Sequence, residues 1–304
     1  MTSVKVPGKV MLTGEYAVLY GGTSVVVPVP RFLTISDSIS SKKPQLSHVV
    51  RLALDYPISR IQEYEQRHGQ PNLEIDYSQF VHTGPAGSKV KLGLGSSAAE
   101  AVGVTALRME RAGITWQDHR QEVARIADAV HREAQGGTGS GADVAGCAYA
   151  SAIRFRRDSG GTSVEEVYAE WKNYPPAYLV WTGQAADTRS LVRQFQEWLA
   201  MSGKSGERSL KNLVDASNRV AKAWFEVPFE KLCTVVDSFS NQLDICAKQA
   251  GLELKLAIHH ELEEFAKRHN GFAKPTGAGG GDMILLMGNV PFDELDLDCI
   301  PLGT

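Results

Sequence analysis

The sequence predicts an α+β fold in two lobes. Strand and helix periodicities follow one another without strict strand–helix–strand alternation, and 304 residues suit two lobes better than one. Composition also shifts across the polar stretch "RRDSGGTSVEE" (156–166), beyond which helical patterns dominate. A boundary near 170–178 gives an N-terminal lobe over 1–172 and a C-terminal lobe over 173–304.

The elements follow in order. "VPGKVMLTGEY" leads Lys9 into a strand. "SVVVPVPRFLTIS" (24–36) is rich in β-branched residues and broken by Pro28 and Pro30, which predicts an edge strand. A helix is expected over 44–70, ending near "RHGQP". "NLEIDYS" (72–78) alternates Leu73, Ile75 and Tyr77 with polar residues, the period of a half-buried strand. Ala98, Ala101, Val102, Thr105 and Met109 recur at helical spacing, as do Val123, Ile126, Ala127, Val130 and Ala134. The second of these helices runs into a glycine loop, with His131 and Gln135 on one face of its last turn. After the polar excursion at 156–166, "AYLVWTG" (177–183) reads as a strand. Helices follow over 188–200, 208–225, 229–250 and 253–269, the last stopped by "HNG". "MILLMG" (283–288) is a short strand.

Bulk chemistry narrows the function. A formal net charge of −3 supplies no global field for nucleic acid or anionic lipid, so any bound anion needs local ligands. Cys147, Cys233, Cys246 and Cys299 form no CxxC pair, which predicts reduced, buried thiols rather than a disulfide or zinc framework. Residues 1–30 do not read as a signal peptide, and no apolar run approaches the roughly 20 residues that span a bilayer. The expectation is a soluble cytoplasmic protein with no nucleic-acid or membrane partner.

Three glycine clusters stand out: "LGLGSSAAEAVG" (92–103), "QGGTGSGAD" (135–143) and "TGAGGGD" (276–282). Bare backbone before a helix lets a phosphate reach the unpaired N–H groups of the first turn, where the dipole favours it. Ser96 and Ser97 add hydroxyls that can donate or ligate Mg²⁺. A tight turn with a serine cap fits the first segment equally well. Asp143 suits either a carboxylate that handles a nucleophile or a helix cap. The third cluster is so dense in glycine that something must approach it closely. There is no GxxxxGK[ST], no GxGxxG after a strand, and no HRD or DFG, so the known phosphate loops are excluded. Beside these clusters, Lys9 reads as directed to phosphate rather than to solvent.

"PGKVMLTGEYAVLYGG" (7–22), "GLGSSAA" (93–99) and "TGAGGGD" resemble, in order and spacing, the three motifs of the GHMP kinase superfamily. The nearest resemblance is to the phosphomevalonate kinases, carried by "KLGLGSSAA", "HREAQGGTGSGADVAGCAYAS" (131–151) and "WTGQAADTRSLV" (181–192). His131 falls where mevalonate kinases usually have a metal-binding glutamate, and their following proline is missing. Gly137 and Ala142 depart from the lysine and phenylalanine common in phosphomevalonate kinases.

The resemblance implies an N-terminal lobe with a left-handed βαβ-type crossover, a ferredoxin-like C-terminal lobe, and phosphoryl transfer from ATP with Mg²⁺. It implies that 5-phosphomevalonate is the acceptor, in a monomer or homodimer. Lys9 and Asp143 would be catalytic. Lys91, Gly93, Leu94, Gly95, Ser96, Ser97 and Ala98 would border ATP, with Ser97 also on the metal. Glu15, Tyr16, His131, Gln135, Ser140, Gly141, Ala278, Gly279, Gly280 and Asp282 would border the acceptor. His131 fits a helix-capping role as well. Arg154, Arg156 and Lys274 are cations within reach of an acceptor phosphate, but read more readily as solvated surface charges. The alternatives are a mevalonate kinase or another GHMP small-molecule kinase, and a non-catalytic nucleotide or metabolite sensor.

Overall fold

The computed structural model describes residues 2–38, 45–83, 87–292, 295 and 297–303. Strands β1 (Ser3–Thr13) and β2 (Ser24–Asp37) pair antiparallel along nearly their whole length, with Lys9 opposite Pro28. Helices α1 (His48–Asp55) and α2 (Gln62–His68) replace the single helix expected over 44–70, whose first residue lies outside the described residues. Tyr56 is extended because the residue before a proline is forced out of the helical region. Strand β3 (Leu73–Asp76) and the hairpin of β4 (Val81–Thr83) and β5 (Lys89–Lys91) lead to α3 (Ser96–Arg111). Next come α4 (Arg120–Ala134), α5 (Ala142–Tyr149), β6 (Ile153–Asp158) and β7 (Gly161–Glu166).

The first sheet runs β1-β2-β6-β7, with β3 beside the far end of β2. β2 is therefore an interior strand, not the edge strand its prolines suggested. Its second side meets β6 only over Ser24–Val26 and β3 only over Thr34–Asp37. Pro28 and Pro30 fall in the gap between. The Lys9 N–H turns away from β2 to the Leu94 carbonyl, so the N–H that Pro28 lacks would face that gap. The polar stretch 156–166 is the β6–β7 hairpin. β7 is exposed on nearly every residue and so shows no alternation.

Helix α3 is buried along most of its length, and its two buried charges are both answered. Arg108 donates to Glu65 and to the carbonyls of Ala53 and Tyr56. Glu100 accepts from Ser47 and Tyr77. Buried charges persist only with such partners, and these two tie α1, α2 and the end of β3 to the helix that follows the 93–95 turn.

The second sheet comprises β8 (Ala177–Trp181), β9 (Phe272–Pro275), β10 (Met283–Met287) and β11 (Cys299–Leu302). Its antiparallel order β11-β8-β10-β9 is fourth, first, third, second in the chain, the ferredoxin-like order. Between β8 and β9 lie α6 (Thr188–Ala223), α7 (Phe229–Ala250) and α8 (Ala257–Arg268). The stretch α6 is the two helices expected over 188–225, meeting across a kink at Gly203, whose φ of 54° and ψ of −146° are not helical. One apolar core connects the sheets, with Tyr16 against Phe195 at a ring separation of 4.7 Å. The fold is α+β. All four cysteines are free; Cys147 and Cys246 are buried, while Cys233 and Cys299 are partly exposed. No helix among the described residues is long and apolar enough to cross a membrane.

Candidate active site

The site begins on β1. The backbone N–H of Lys9 donates to the Leu94 carbonyl at 3.0 Å, fastening the strand to the turn before α3. Gly95 is the residue before that helix and adopts φ 80°, which an L side chain rarely tolerates. A Cβ there would lie 2.6 Å from Lys9 Cε, so only glycine lets the turn rest on the lysine stem. Ser96 and Ser97 open the helix, and neither hydroxyl caps it. The serine-cap reading is thus replaced by a glycine cap, which leaves both hydroxyls beside the free N–H groups of the first turn. Leu94 and Ala98 are buried and anchor the turn from below. Lys91 ends β5, exposed and in no ion pair among the described residues.

Lys9 Nζ lies 3.0 Å from Asp143 Oδ1, with the lysine side chain 9% and the aspartate 40% exposed. Burial works to lower the ammonium's pKa, but the Asp143 carboxylate, aided by Cys147 and Asp282, outweighs it and leaves the group above the ordinary lysine value. Lys9 is therefore a fixed positive charge at the edge of solvent. Asp143 sits in the first turn of α5, capped not by its own side chain but by Gly141, so its carboxylate is free to meet Lys9. Ser140 accepts the Ala142 N–H at 3.2 Å, which shapes the turn. Arg157 and Asp128, paired at 2.7 Å, press against Gly141 and brace it; the sequence reading missed this pair. His131 is buried next to this loop and hydrogen bonds Gln135 at 3.2 Å. Burial pulls its imidazole below the usual value, against the nearby carboxylates of Asp143 and Asp128.

The third turn closes the other side. Tyr16 donates its hydroxyl to the Ala278 carbonyl at 2.8 Å. The Gly280 N–H donates to the Leu254 carbonyl at 2.8 Å. Cβ atoms at Gly279 and Gly281 would each come within 2.9 Å of backbone, at Leu254 and at the 184–186 loop respectively. What comes close to these glycines is the protein's own chain. Asp282, with φ 55°, accepts the Ala186 N–H at 3.1 Å on Oδ1. Its side chain also stands against Gly93, where a Cβ would lie 2.6 Å from Oδ2. Burial pushes the Asp282 carboxyl up, against the pull of the Ala186 N–H and Lys9.

The structure brings together Lys9, the 93–98 turn, Asp143, the 276–282 turn and Tyr16. Glu15 and Lys274 fall elsewhere than expected. Neither is solvated; they pair with each other in the interior, with Glu15 Oε2 left without a hydrogen-bond partner among the described residues. Arg154 is taken up by Glu165, Glu226 and three backbone carbonyls, and Arg156 by Asp158. Two open clefts, of 340 and 420 Å³, lie around Lys222 and contain none of the glycine turns. Long-range pairings such as Arg157 with Asp128 leave no mark in local sequence.

Residues 56–151 match the family described as GHMP kinases N terminal domain. The chain is 27% identical over 311 residues to a phosphomevalonate kinase of Saccharolobus solfataricus, covering 95% of this chain and 91% of that one. Its fold is similar to that of the Lin0012 protein of Listeria innocua, with a TM-score of 0.80 at 21% identity over 98% of this chain and 96% of the other. It is also similar to a Streptococcus pneumoniae phosphomevalonate kinase in complex with phosphomevalonate and AMPPNP. There the TM-score is 0.75 at 18% identity, over 95% of this chain and 92% of the other.

Proposed function

We propose that this chain, a phosphotransferase with the GHMP kinase fold, moves the terminal phosphoryl group of ATP onto the phosphate of 5-phosphomevalonate, forming 5-diphosphomevalonate. The observation that carries the reading is the meeting of all three glycine turns around Lys9 and Asp143, in a chain that parallels a phosphomevalonate kinase almost end to end. A lobe boundary near 170–178 would place the nucleotide turn in one lobe and the third glycine turn in the other.

The roles follow from charge. A phosphate monoester has a second pKa near about 6, so at neutral pH its attacking oxygen is already largely ionised. Asp143 then has to position the acceptor rather than deprotonate it. Repulsion between two polyanions is the larger obstacle, and the fixed Lys9 ammonium is placed to bridge them. The free N–H groups of α3, with Gly93 and Gly95, receive the triphosphate. His131, Gln135, Ser140 and Gly141 line the approach of the acceptor, together with the 278–280 backbone; Glu15 is withdrawn from that set.

The residues present suit Mg²⁺ carried by the nucleotide. No cluster of three or more His, Cys, Asp or Glu among the described residues forms a protein cage, and the Ser97 hydroxyl is uncommitted. Mg²⁺ commonly takes few protein ligands and completes its shell with phosphates and water. Ser97 would hold it, and the ion supplies charge neutralisation on the phosphates.

The deciding experiment is coupled ADP release with mevalonate and with 5-phosphomevalonate side by side. Turnover is expected with the phosphorylated acceptor. Turnover with mevalonate alone would overturn the acceptor assignment, and nucleotide binding without turnover on either would point to a sensor.

A further inference from the structure

Glu15 and Lys274 form an ion pair deep in the interior, with side chains 1% and 2% exposed and Nζ 2.5 Å from Oε1. They are 259 residues apart and belong to different sheets' surroundings. Glu15 follows directly on β1, the strand that carries Lys9. Lys274 lies in β9, immediately before the third glycine turn. The same ammonium donates to the Pro275 carbonyl at 2.6 Å. Beyond it, Thr276 donates to the Met283 carbonyl and Tyr16 to the Ala278 carbonyl, both at 2.8 Å. The 13–16 turn and the 276–282 turn are therefore fastened together at two points.

Stability alone does not account for such a pair. Removing two charges from water costs several kcal/mol, and an apolar pair of similar volume is often as stable or more so. An ion pair can instead fix a single registry between the segments it joins. The segments joined here are the one that follows the Lys9 strand and the one that leads into the third turn, whose Asp282 stands against Gly93.

We propose that Lys274 is a positioning residue for phosphoryl transfer, holding the third glycine turn, through Glu15, in register with the strand that bears Lys9. The inference rests on the kinase reading above. A displacement of the turn by about 1 Å would separate the phosphate cradle from its closing side, an error that costs on the order of 10²-fold in rate.

Lys274→Met alone leaves the Glu15 carboxylate buried without its counter-charge, and that variant is expected to fold poorly. The test is the double variant Glu15→Met/Lys274→Met, which replaces both charges with apolar side chains of similar length. It should keep a thermal midpoint near that of the wild type. In the absence of ligand, its backbone amides at 276–282 should exchange about tenfold faster while those of α3 stay protected. Its kcat should fall about 10²-fold with little change in KM for ATP. A folded double variant with wild-type exchange at 276–282, or with wild-type kcat, overturns the proposal. A wild-type protein inactive on every acceptor would instead sink the kinase reading, and the exchange comparison would still decide whether Lys274 fixes the turn.

Discussion

Lys9 and Gly95 are in such close contact that a methyl group on the glycine would lie 2.6 Å from the lysine Cε. With the Lys9 N–H also held by the Leu94 carbonyl, the strand and the turn before α3 are packed as one unit. In the proposed mechanism, that contact would link the bridging charge to the turn that receives the triphosphate.

Gly95→Ala should disturb both at once. The substitution forces an alanine to φ 80° and drives its Cβ into the lysine stem. The backbone strain alone is about 1–2 kcal/mol. Calorimetric titration with a non-hydrolysable ATP analogue should show affinity weakened by about tenfold or more, with a lowered thermal midpoint.

Lys9→Met should separate chemistry from folding. Asp143 is 40% exposed, so losing the lysine does not strand a buried charge. Circular dichroism should match the wild type while kcat drops by about 10²–10³-fold, the size seen when a preorganised electrostatic contact is lost. Near-normal turnover would remove Lys9 from the mechanism.

Ser97→Ala tests the metal. Its hydroxyl supports no helix cap, so the fold should be unchanged. The Mg²⁺ concentration giving half-maximal rate should rise several-fold, and a metal titration at fixed ATP would show it. An unchanged titration would assign the ion to phosphates and water alone.

Acid should weaken the fold through His259. Burial, with the Lys255 charge adding to it, lowers this imidazole to about 4. Unfolded histidine titrates near about 6.5, so between these values the unfolded chain holds more protons. Stability from this residue is complete above the unfolded value and is lost as pH falls toward the folded one. His259 Nδ1 accepts the Leu256 N–H at 2.9 Å. His259→Asn retains an acceptor there, and thermal midpoints measured from pH 8 to 4 should fall less steeply in the variant. The lowered imidazole of His131 works in the same direction.

The candidate site was more legible than the fold around it. "GLGSSAA" and "TGAGGGD" declare themselves because the constraint on each is local, a turn whose backbone must be bare. Lys9 was legible only beside them. Glu15 was read toward a ligand because nothing in "LTGEYA" shows that Lys274, 259 residues away, takes its carboxylate. Asp143 read equally well as a cap because cap and first-turn positions differ by two residues. In the fold, Pro28 and Pro30 pointed to an edge since proline cannot donate. The structure instead gives them the one interval of β2 that lacks a second neighbour. Strand β7 carries no periodicity because water lies on nearly every side chain, whereas β6 does alternate, with Ile153 and Phe155 buried between arginines, over a stretch short enough to pass for a polar excursion.

The crowding around Gly279, Gly280 and Gly281 bears on when order is acquired. Leu254 and the 184–186 segment already dictate the shape of that turn, so its glycines lose their freedom as the chain folds. Nothing lies within 4 Å of where a side chain would stand at Gly136 or Gly137. Their N–H groups are held by the Glu133 and Arg132 carbonyls at the end of α4, so open space rather than packing bounds that turn on its outer side. If the proposed acceptor binds between the two turns, it meets a third turn already shaped by its own chain and a 136–137 turn with room beside it.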